Sequence, residues 1–505
     1  MSPLPVRPAR EEFYSLCQQG NLIPVSLEVL ADLETPVSAF LKLRQARPYD
    51  PAWLLESVEG GENLGRYSFL GVGARGQLKV RGREVTLAFD GQSRTFDLAP
   101  GRDPLHVVED VMSQFEFVDD LNLPKFCGGA VGFLGWDLVR FFEKLPDAPP
   151  DDRDLDDCHL LFADTILIFD AVRHTFTIVA NASIDGEEDA AYDDAVARIE
   201  RTLKTLVNEE LEATLLPVTE PQEPEPQSNF PSREAFEATV QKCIDYIHAG
   251  DCVQVVPSQR FSVPLEAEPF AVYRALRHLS PAPYMVFLDF GDKQLVAASP
   301  EILVTEDEGD VLIRPLAGTR KRGETDEEDD ALEAELLADP KERAEHVMLV
   351  DLARNDLGRV CEYGSVEVEK LMYVQKFSHV MHIVSDVIGV LDEDKNAYDV
   401  LRASFPAGTL SGAPKVRAMQ IIDEVEPTRR GPYGGAMGYF SFSGNMDTCI
   451  TLRTIVIKDG MAYVQAGGGV VADSVPANEY DETRNKARAA LRALALAGLH
   501  SKMNE

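Results

Sequence analysis

The sequence predicts an α+β fold built on antiparallel sheets, and two hairpin signals carry that prediction. Asp90-Gly91 lies between the strand candidates Glu84–Phe89 and Ser93–Leu98, and both turn positions tolerate the positive φ of a tight hairpin. Thr165–Phe169 and Thr175–Ala180 form a second pair of the same kind. The chain does not show the regular alternation of strands and helices that is typical of a parallel sheet.

Other short apolar stretches, separated by glycines and turn residues, extend the β content over both halves of the chain. One of them is glycine-rich and runs from Gly128 to Phe142. The remaining strand candidates are Gln77–Val80, Cys252–Val263, Gly435–Phe442, Thr448–Ile457 and Ala462–Gln465.

Capping residues predict three helices in the second half. Ser232 is a suitable N-cap for the first, and Gly250 marks its C-terminal end. The second begins with a capping aspartate and a proline at Asp339-Pro340 and continues through Leu352. The third begins near Ser474 and continues to about Leu496, so both the second and the third are long enough to carry several functional side chains on one face.

A proline-rich segment divides the chain. Residues 217–231 hold five prolines with Glu220, Glu223 and Glu225 among them. Because proline lacks a backbone donor and like charges repel, this segment is expected to be extended and exposed. The predicted organisation is an N-terminal region of residues 1–216, a linker of residues 217–231 and a C-terminal region of residues 232–505.

Composition excludes several classes of protein. The 505 residues carry 49 Lys and Arg against 85 Asp and Glu, a net charge of −36, which disfavours binding to nucleic acid or to an anionic membrane surface. No signal-peptide pattern occupies Met1–Gly20, and no run of about 18 apolar residues predicts a membrane span. Seven scattered cysteines without a C-x-x-C pair favour free thiols in the cytoplasm over a disulfide framework or a zinc site.

Two Glu-x-x-Glu pairs are the first candidates for chemistry. Glu342 and Glu345 share one face of the second predicted helix, and Glu479 and Glu482 share one face of the third, with Lys486 one turn further on. Carboxylates and water are the ligands that Mg²⁺ prefers, so the pairs are compatible with a Mg²⁺ site beside an anionic substrate. From spacing alone they are equally compatible with solvated surface glutamates.

Other candidates are single residues or a glycine turn. Gly467, Gly468 and Gly469 lie between a strand and a helix, where exposed N–H groups suit a carboxylate. Arg453 on an apolar strand needs an anionic partner, and Glu301 after another strand is a possible buried acid. His382 fits either a catalytic role or a hydrogen-bonded core position. These residues alone indicate an enzyme acting on an anion and no more.

Several of these segments together resemble the chorismate-utilising enzymes, and among them most closely the large subunits of anthranilate synthase. The resemblance is densest from Val253 to Ala490 and weaker before it. The matching stretches are Leu54–Ser57, Arg66–Gly71, Val255–Arg260, Ser299–Glu301, Pro315–Arg320, Ala344–Asp356, His382–Ser385, Phe405–Lys415 and Ala466–Lys486. The fold implied by the resemblance is a large composite α+β sandwich of antiparallel sheets flanked by helices, to which both halves contribute.

The resemblance also implies roles for individual residues. Glu345 and Glu482 match the ligands of a Mg²⁺ ion that holds the ring carboxylate of chorismate, with Glu342 and Glu479 holding its waters. Glu301 matches the acid that protonates the departing 4-hydroxyl. His382 and Thr409 line the same pocket, and His382 is expected to assist the loss of pyruvate. The substrate carboxylates are expected to contact Tyr433, Arg453, Gly467, Gly468, Gly469 and Lys486.

Two positions select the reaction within the family. Ala317 stands where aminodeoxychorismate synthases carry a nucleophilic lysine, and Gln254 stands where isochorismate and salicylate synthases carry a lysine that activates water. Ammonia is then the expected nucleophile and anthranilate the expected product. Because the chain shows no glutaminase pattern, a glutamine amidotransferase partner is expected to supply the ammonia. The alternatives are an aminodeoxychorismate synthase and a non-catalytic tryptophan-binding regulator.

A second site is implied in the first half. Glu56 and Ser57, with Pro283, Tyr284 and Met285, resemble the family's site for feedback inhibition by tryptophan. In this prediction Glu56 and Ser57 meet the amino group, while Tyr284 and Met285 pack around the indole. The alternative is a pair of packed strands without a ligand.

Overall fold

The computed structural model describes residues 4–57, 65–119, 123–211, 215–216, 218–219, 221–377 and 380–503. They form two large antiparallel sheets with helices outside them, so the predicted α+β sandwich is confirmed. No helix within these ranges is both long enough and apolar enough to cross a membrane.

The first sheet has 11 strands, and each pair of neighbours runs antiparallel. Its strands, in spatial order, are β1 (Leu22–Leu30), β10 (Thr175–Ser183), β9 (Thr165–Asp170), β3 (Tyr67–Val72), β2 (Ala52–Glu56), β14 (Tyr284–Asp289), β15 (Lys293–Ser299), β24 (Thr454–Lys458), β25 (Met461–Gly467), β13 (Ser258–Pro264) and β11 (Gln227–Ser228). The first five strands in this order come from the first half of the chain and the other six from residue 227 onward, so the two halves meet within one sheet where β2 pairs with β14.

The second sheet has 12 strands and is also antiparallel. Its strands, in spatial order, are β18 (Leu316–Lys321), β20 (Val380–Val390), β17 (Asp310–Ile313), β16 (Ile302–Asp307), β23 (Met446–Ile450), β22 (Ala436–Ser441), β7 (Gly129–Leu134), β8 (Cys158–Ala163), β4 (Gly76–Arg81), β5 (Glu84–Phe89) and β6 (Gln92–Asp97), with β19 (Glu367–Lys376) also paired to β20. A separate two-stranded sheet pairs β12 (Gln254–Val255) with β21 (Gly412–Ala413).

Apolar side chains from both sheets meet in a central core, and the helices cover the outer faces. Trp53 of β2, Phe133 of β7 and Met437 of β22 belong to the central core, which makes the molecule a sandwich with a shared interior. The helices are α1 (Arg10–Leu16), α2 (Pro36–Ala46), α3 (Pro104–Met112), α4 (Glu188–Asn208), α5 (Arg233–Ala249), α6 (Pro269–Leu279), α7 (Asp326–Ala338), α8 (Pro340–Leu357), α9 (Ala397–Ser404), α10 (Gly408–Ser411), α11 (Lys415–Val425) and α12 (Pro476–Met503).

The local signals in the sequence are confirmed where they depend on one turn or cap. Asp90 and Gly91 both take positive φ between β5 and β6. Ser232 accepts a hydrogen bond from the backbone of α5, whose C-cap Gly250 is left-handed. Asp339 caps α8, which continues beyond the predicted end to Leu357.

Two predicted strands are wrong because the chain changes sheets within them. The stretch Cys252–Val263 divides into β12 and β13 at Val256-Pro257, where proline has no N–H to continue a ladder. The stretch Thr448–Ile457 divides into β23 of the second sheet and β24 of the first. Arg453, at this crossing, has a φ of 50°, so it is a corner residue and not a strand residue.

The expectation of an exposed linker is met only in part where the structure describes the segment: Gln222 and Glu225 are exposed, but other residues pack against the protein. Pro221 is buried, and Gln227–Ser228 forms strand β11 against β13. Glu223 accepts a hydrogen bond of 2.9 Å from Arg488 of α12. Pro217 and Glu220 lie outside the described residues. The described part of the segment therefore packs along the C-terminal region, through Pro221, Glu223 and strand β11.

Candidate active site

A cavity of about 730 Å³ lies where α8 and α12 meet the edges of both sheets. Its lining residues run from Gln254 to Lys486, a separation in sequence that no local pattern reveals. All but one of the predicted catalytic, substrate and metal residues line it: Glu301, Glu342, Glu345, His382, Thr409, Tyr433, Arg453, Gly467, Gly469, Glu479, Glu482 and Lys486. The exception, Gly468, lies in the same turn between two of the lining glycines.

The glycine turn after β25 is the place where the two glutamate pairs approach each other. A Cβ placed on Gly468 would lie 2.8 Å from Glu479 Oε2 and 3.7 Å from Glu482 Oε1. A Cβ placed on Gly469 would lie 3.8 Å from Glu345 Oε1. Because these positions lack side chains, helices α8 and α12 present their carboxylates to one space. The predicted convergence of the two helices is therefore seen in the structure.

The cavity holds an excess of negative charge. Burial, then the neighbouring Glu345, raises the pKa of Glu342, although Arg320 opposes the shift. Burial raises the pKa of Glu479 as well, and Glu482 adds to the rise. Lys486 donates to Glu482 over 2.7 Å and to the Gly467 carbonyl over 3.0 Å. The carboxylates thus exceed the cations that reach them.

The residues present fit a hard divalent cation. Glu479 Oε2 is buried and has no hydrogen-bond partner among the described residues, so an added cation or its water would satisfy it. The described residues contain no preformed cluster of three or more metal-ligating side chains. Mg²⁺ is commonly bound by only one or two protein carboxylates, and water molecules fill its other coordination positions.

The opposite wall suits a carboxylate. Arg453 extends from the corner between β23 and β24, and burial alone lowers its pKa, with no neighbouring acid to offset the effect in the described chain. The Tyr433 hydroxyl lies against Gly467, whose added Cβ would be 2.9 Å from it. The Arg453 guanidinium, which has no acidic partner among the described residues, thus lies in one cavity with a phenol and backbone amides. Such a set of donors suits a bound carboxylate.

Glu301 and His382 are both neutral near pH 7. Burial raises the pKa of Glu301 to about 8, and Thr409 Oγ1 donates to its carboxyl over 2.8 Å. Burial lowers the pKa of His382 to about 4. His382 Nδ1 lies 2.8 Å from the Gly318 carbonyl, so Nδ1 carries the proton and Nε2 is a free base. The same cavity therefore holds a protonated carboxyl group, Glu301, that can give a proton and an unprotonated imidazole nitrogen, His382 Nε2, that can take one.

A family model described as chorismate binding enzyme matches residues 68–492 of the chain. The chain belongs to the chorismate-binding enzyme family. It is 46% identical over 495 residues to anthranilate synthase component 1 of Acetivibrio thermocellus, covering 97% of this chain and 99% of that protein. It is 49% identical over 494 residues to anthranilate synthase component 1 of Pseudomonas aeruginosa, covering 97% and 99%.

A solved structure extends the likeness to three dimensions. The crystal structure of anthranilate synthase component I from Streptococcus pneumoniae matches with a TM-score of 0.75 at 35% identity, over 92% of this chain and 99% of that chain. The resemblance that the sequence motifs indicate, both to the chorismate-binding enzymes and to the large subunits of anthranilate synthase, is thus confirmed.

Three supporting residues of this chorismate-binding enzyme were not among the predicted site residues. Gln254 Nε2 donates to Glu345 Oε1 over 3.1 Å and so restrains that carboxylate. Arg430 is fully buried, pairs with Glu426 at 2.6 Å and binds the carbonyls of Val256 and Leu410. A spacing of four between Glu426 and Arg430 was the available signal for the pair, but both residues follow the end of α11 and the spacing gives no sign of burial.

The five residues of the predicted tryptophan site lie at one end of the β2–β14 pair, where Met285 is the register partner of Glu56. Arg277 binds both carboxylate oxygens of Glu56, at 2.9 and 3.2 Å, and Tyr273 also donates to it. Met285 packs with the helix-covered core, whereas Tyr284 faces the central core, because successive strand residues face opposite ways. The two side chains thus start on opposite faces of β14, and their packing around one indole stays a prediction.

Two of those five residues remain compatible with a ligand between the sheets. Tyr284 donates to Asp447 of β23 over 2.8 Å, and burial raises the pKa of Asp447 to about 6. The Ser57 hydroxyl is buried without a partner among the described residues. Pro283 is buried at the start of β14 and serves as packing.

Gly469→Ala tests the close approach at the glycine turn. The new Cβ would lie 2.5 Å from Gln254 Nε2 and would displace the amide that restrains Glu345. We expect KM for chorismate to rise by about tenfold or more, since one methyl misplaces two cavity side chains. Gly498→Ala on α12 is the matched control, because its Cβ would meet Glu266 at an ordinary 3.4 Å. Equal KM values for the two variants would contradict the close approach of Gly469 to Gln254 and Glu345 in the active site.

Proposed function

We propose that the chain is the large subunit of anthranilate synthase, converting chorismate and ammonia to anthranilate, pyruvate and water. The observation that carries this proposal is the cavity in which two carboxylate pairs, an unpaired guanidinium and a neutral glutamic acid face one another. Ala317 and Gln254 line it at the two positions where related enzymes carry a reactive lysine. Ammonia needs no such lysine in order to add to the ring.

Each residue has a role that follows from its charge state. A bound Mg²⁺ would be held by Glu345 and Glu482, with Glu342 and Glu479 on its waters, and would neutralise the ring carboxylate of chorismate. Arg453, Tyr433 and the amides of Gly467 and Gly469 hold the enolpyruvyl carboxylate, whereas the Gly468 N–H already donates to the Pro257 carbonyl over 3.2 Å. Lys486 supports the ring carboxylate. These contacts fix the ring between Glu301 and His382.

The proton movements follow from the two neutral groups. As ammonia adds at C2, Glu301 gives its proton to the 4-hydroxyl, which leaves as water. His382 Nε2 then takes the proton from C2, the enolpyruvyl C–O bond breaks with its electron pair on oxygen, and the released enolate gains that proton at its methylene carbon to become pyruvate. The ring becomes aromatic, which makes the last step strongly favourable. Ammonia, chorismate and the three products balance.

The proposal includes a partner and a location. Because relatives are named component 1, we propose a second subunit, a glutamine amidotransferase, as the source of ammonia. We propose the cytoplasm as the location, since all seven cysteines are free thiols. In this reading the chain catalyses the first committed step of tryptophan biosynthesis.

An assay with chorismate, Mg²⁺ and an ammonium salt tests the function without the partner. The expected product is anthranilate, identified by its blue fluorescence and by chromatography against a standard. A para-amino product would instead identify an aminodeoxychorismate synthase. Unchanged chorismate at every ammonium concentration would favour a non-catalytic tryptophan-binding regulator.

We also propose that tryptophan inhibits the enzyme, by binding between the sheets. The support is the buried Ser57 hydroxyl, which has no partner within the described ranges, and the buried Asp447 carboxyl, which suits an ammonium group. We expect tryptophan to raise the Tm of the protein and to lower its turnover, and Asp447→Asn to lose both responses. Met285→Leu is the control because Met285 faces the other side of the sheet. Equal responses of the two variants would refute this placement.

A further inference from the structure

A second, smaller cavity lies behind the catalytic acid. Its volume is about 30 Å³, which accommodates about two water molecules. Glu301, Leu349 and Thr409 line both this cavity and the large one, so the two spaces share these residues as a common wall. Most of its remaining walls are apolar, with contributions from β16, α8 and α10.

The other end of this small cavity is polar. Asp356, near the C-terminal end of α8, and Ser404, the last residue of α9, both line it. Lys415 Nζ donates to Asp356 Oδ2 over 2.9 Å and to the Ser404 carbonyl over 3.1 Å. Asp356 and Lys415 end two of the sequence motifs, yet neither contacts the large cavity. Their chemistry is therefore not explained by substrate or metal binding.

Glu301 needs a proton for every turnover. In the proposed reaction it gives its proton to the leaving hydroxyl and is left as a carboxylate in a buried position, where it is costly. The proton that the new C2 ammonium group loses is released on the substrate side. While product fills the large cavity, the small cavity is the direct approach to the Glu301 carboxyl from behind.

We propose that water in the small cavity returns a proton to Glu301 after each turnover, with Asp356 as the relay group and Lys415 holding it in place. In this step Asp356, protonated from solvent, gives a proton to a cavity water, the water passes one to Glu301, and Asp356 is left ionised beside Lys415. This inference rests on the proposed function of Glu301 as the acid. Asp356 acts through Glu301 and does not touch the substrate.

The charges around the cavity suit this role. Burial raises the pKa of Asp356, while Lys415 and then Arg359 oppose the rise, which keeps the group able to exchange a proton. Arg314, the other charged residue of the lining, is engaged by Asp386 at 2.5 Å and does not compete. Thr409 donates to Glu301 on the inner side, so its hydroxyl oxygen is available to accept from a cavity water.

The competing explanation is structural. Lys415 joins α8 to the end of α9, and the segment between α9 and Lys415 carries Thr409. In this explanation Asp356 would only hold that segment in place. Asp356→Asn separates the two explanations, because an amide oxygen still accepts from Lys415 but the group no longer carries a proton. Ala353→Val provides an independent test, since Ala353 is buried in the wall of the cavity and two added methyl groups would displace its water.

The experiment measures kcat, KM for chorismate, Tm and the solvent deuterium isotope effect on kcat in the ammonium assay. We expect Asp356→Asn and Ala353→Val each to lower kcat by about tenfold or more and to enlarge the isotope effect, with KM and Tm unchanged. Asp356→Glu restores kcat in part. Ala353→Ser is the matched control at the same position, because its hydroxyl joins the water and leaves kcat near wild type.

Each contrary result is decisive. Wild-type kcat and isotope effect in Asp356→Asn, or equal kcat in Ala353→Val and Ala353→Ser, would overturn the relay. A lower kcat in Asp356→Asn that comes with a raised KM and a lowered Tm, and that Asp356→Glu does not rescue, would also overturn the relay in favour of the structural explanation. The wild-type reaction distinguishes this failure from that of the proposed function: without anthranilate from the wild type, the function itself is refuted.

Discussion

Glu345→Gln and Glu482→Gln are each expected to reduce Mg²⁺-dependent turnover of chorismate by more than about 100-fold. Each change removes one of two charged oxygen ligands contributed by different helices, and an amide oxygen is a poor replacement for a carboxylate at a hard cation. The loss follows from weaker cation binding and from an unneutralised substrate carboxylate. It is measured as kcat/KM over a Mg²⁺ titration.

The same variants have a second readout that does not depend on turnover. In the metal-free protein the four carboxylates repel one another, so removing one negative charge is expected to raise Tm slightly. Added Mg²⁺ is expected to raise the Tm of the wild type and to have little effect on either variant. Glu200→Gln, at an exposed position of α4, is the control. A wild-type Tm response to Mg²⁺ in both cavity variants would refute the metal assignment.

Glu301→Gln is expected to lower kcat by about 10³-fold with a small change in KM. The glutamine has nearly the same shape and keeps the bond from Thr409, but it cannot protonate the departing hydroxyl. In the wild type, kcat is expected to fall as pH rises through about 8, because only the protonated acid is active and burial raises its pKa to that value. The residual activity of Glu301→Gln should lack this descending limb. A descending limb at the same pH in the variant would show that another group is responsible.

Stability gives an independent check on the protonation of Glu301. A carboxyl whose folded pKa is raised stabilises the protein relative to the ionised form below the unfolded pKa, and this contribution is lost as pH rises through the folded pKa. Glu301→Gln should therefore raise the Tm more at pH 9 than at pH 5. Thr409→Val removes a hydrogen bond that lowers the pKa of Glu301, so it should move the descending limb of kcat to higher pH. An opposite shift would contradict the contact.

Local sequence signals predicted helix ends and turns well, but they did not predict where the chain passes from one sheet to the other. The capping residues Ser232 and Asp339 begin helices because each bonds to its own helix. The two crossings between sheets, at Pro257 and Arg453, fall within stretches that the sequence predicts as single strands, because strand-forming residues stand on both sides of each crossing. Nothing local distinguishes a strand that ends from one that moves to the other sheet.

The site shows the same division. Spacing placed Glu342 with Glu345 and Glu479 with Glu482, since residues three apart share a helical face. It was the family resemblance, and not the spacing, that brought the two helices together. Glu56 illustrates the reverse case: its motif was recognised, but Arg277 and Tyr273, more than 200 residues away, occupy its carboxylate. Partners at such separations are set by the tertiary fold alone.

Each sheet combines one block of strands from the first half of the chain with one block from the second, so a break in the covalent chain between the halves would not break either sheet. β2 pairs with β14, and β7 pairs with β22, so the two halves are joined by ladders of backbone hydrogen bonds as well as by the connecting peptide. A single proteolytic nick between them should leave two fragments that remain associated and active. Either fragment made alone would present unpaired edges in mid-sheet, which are templates for aggregation.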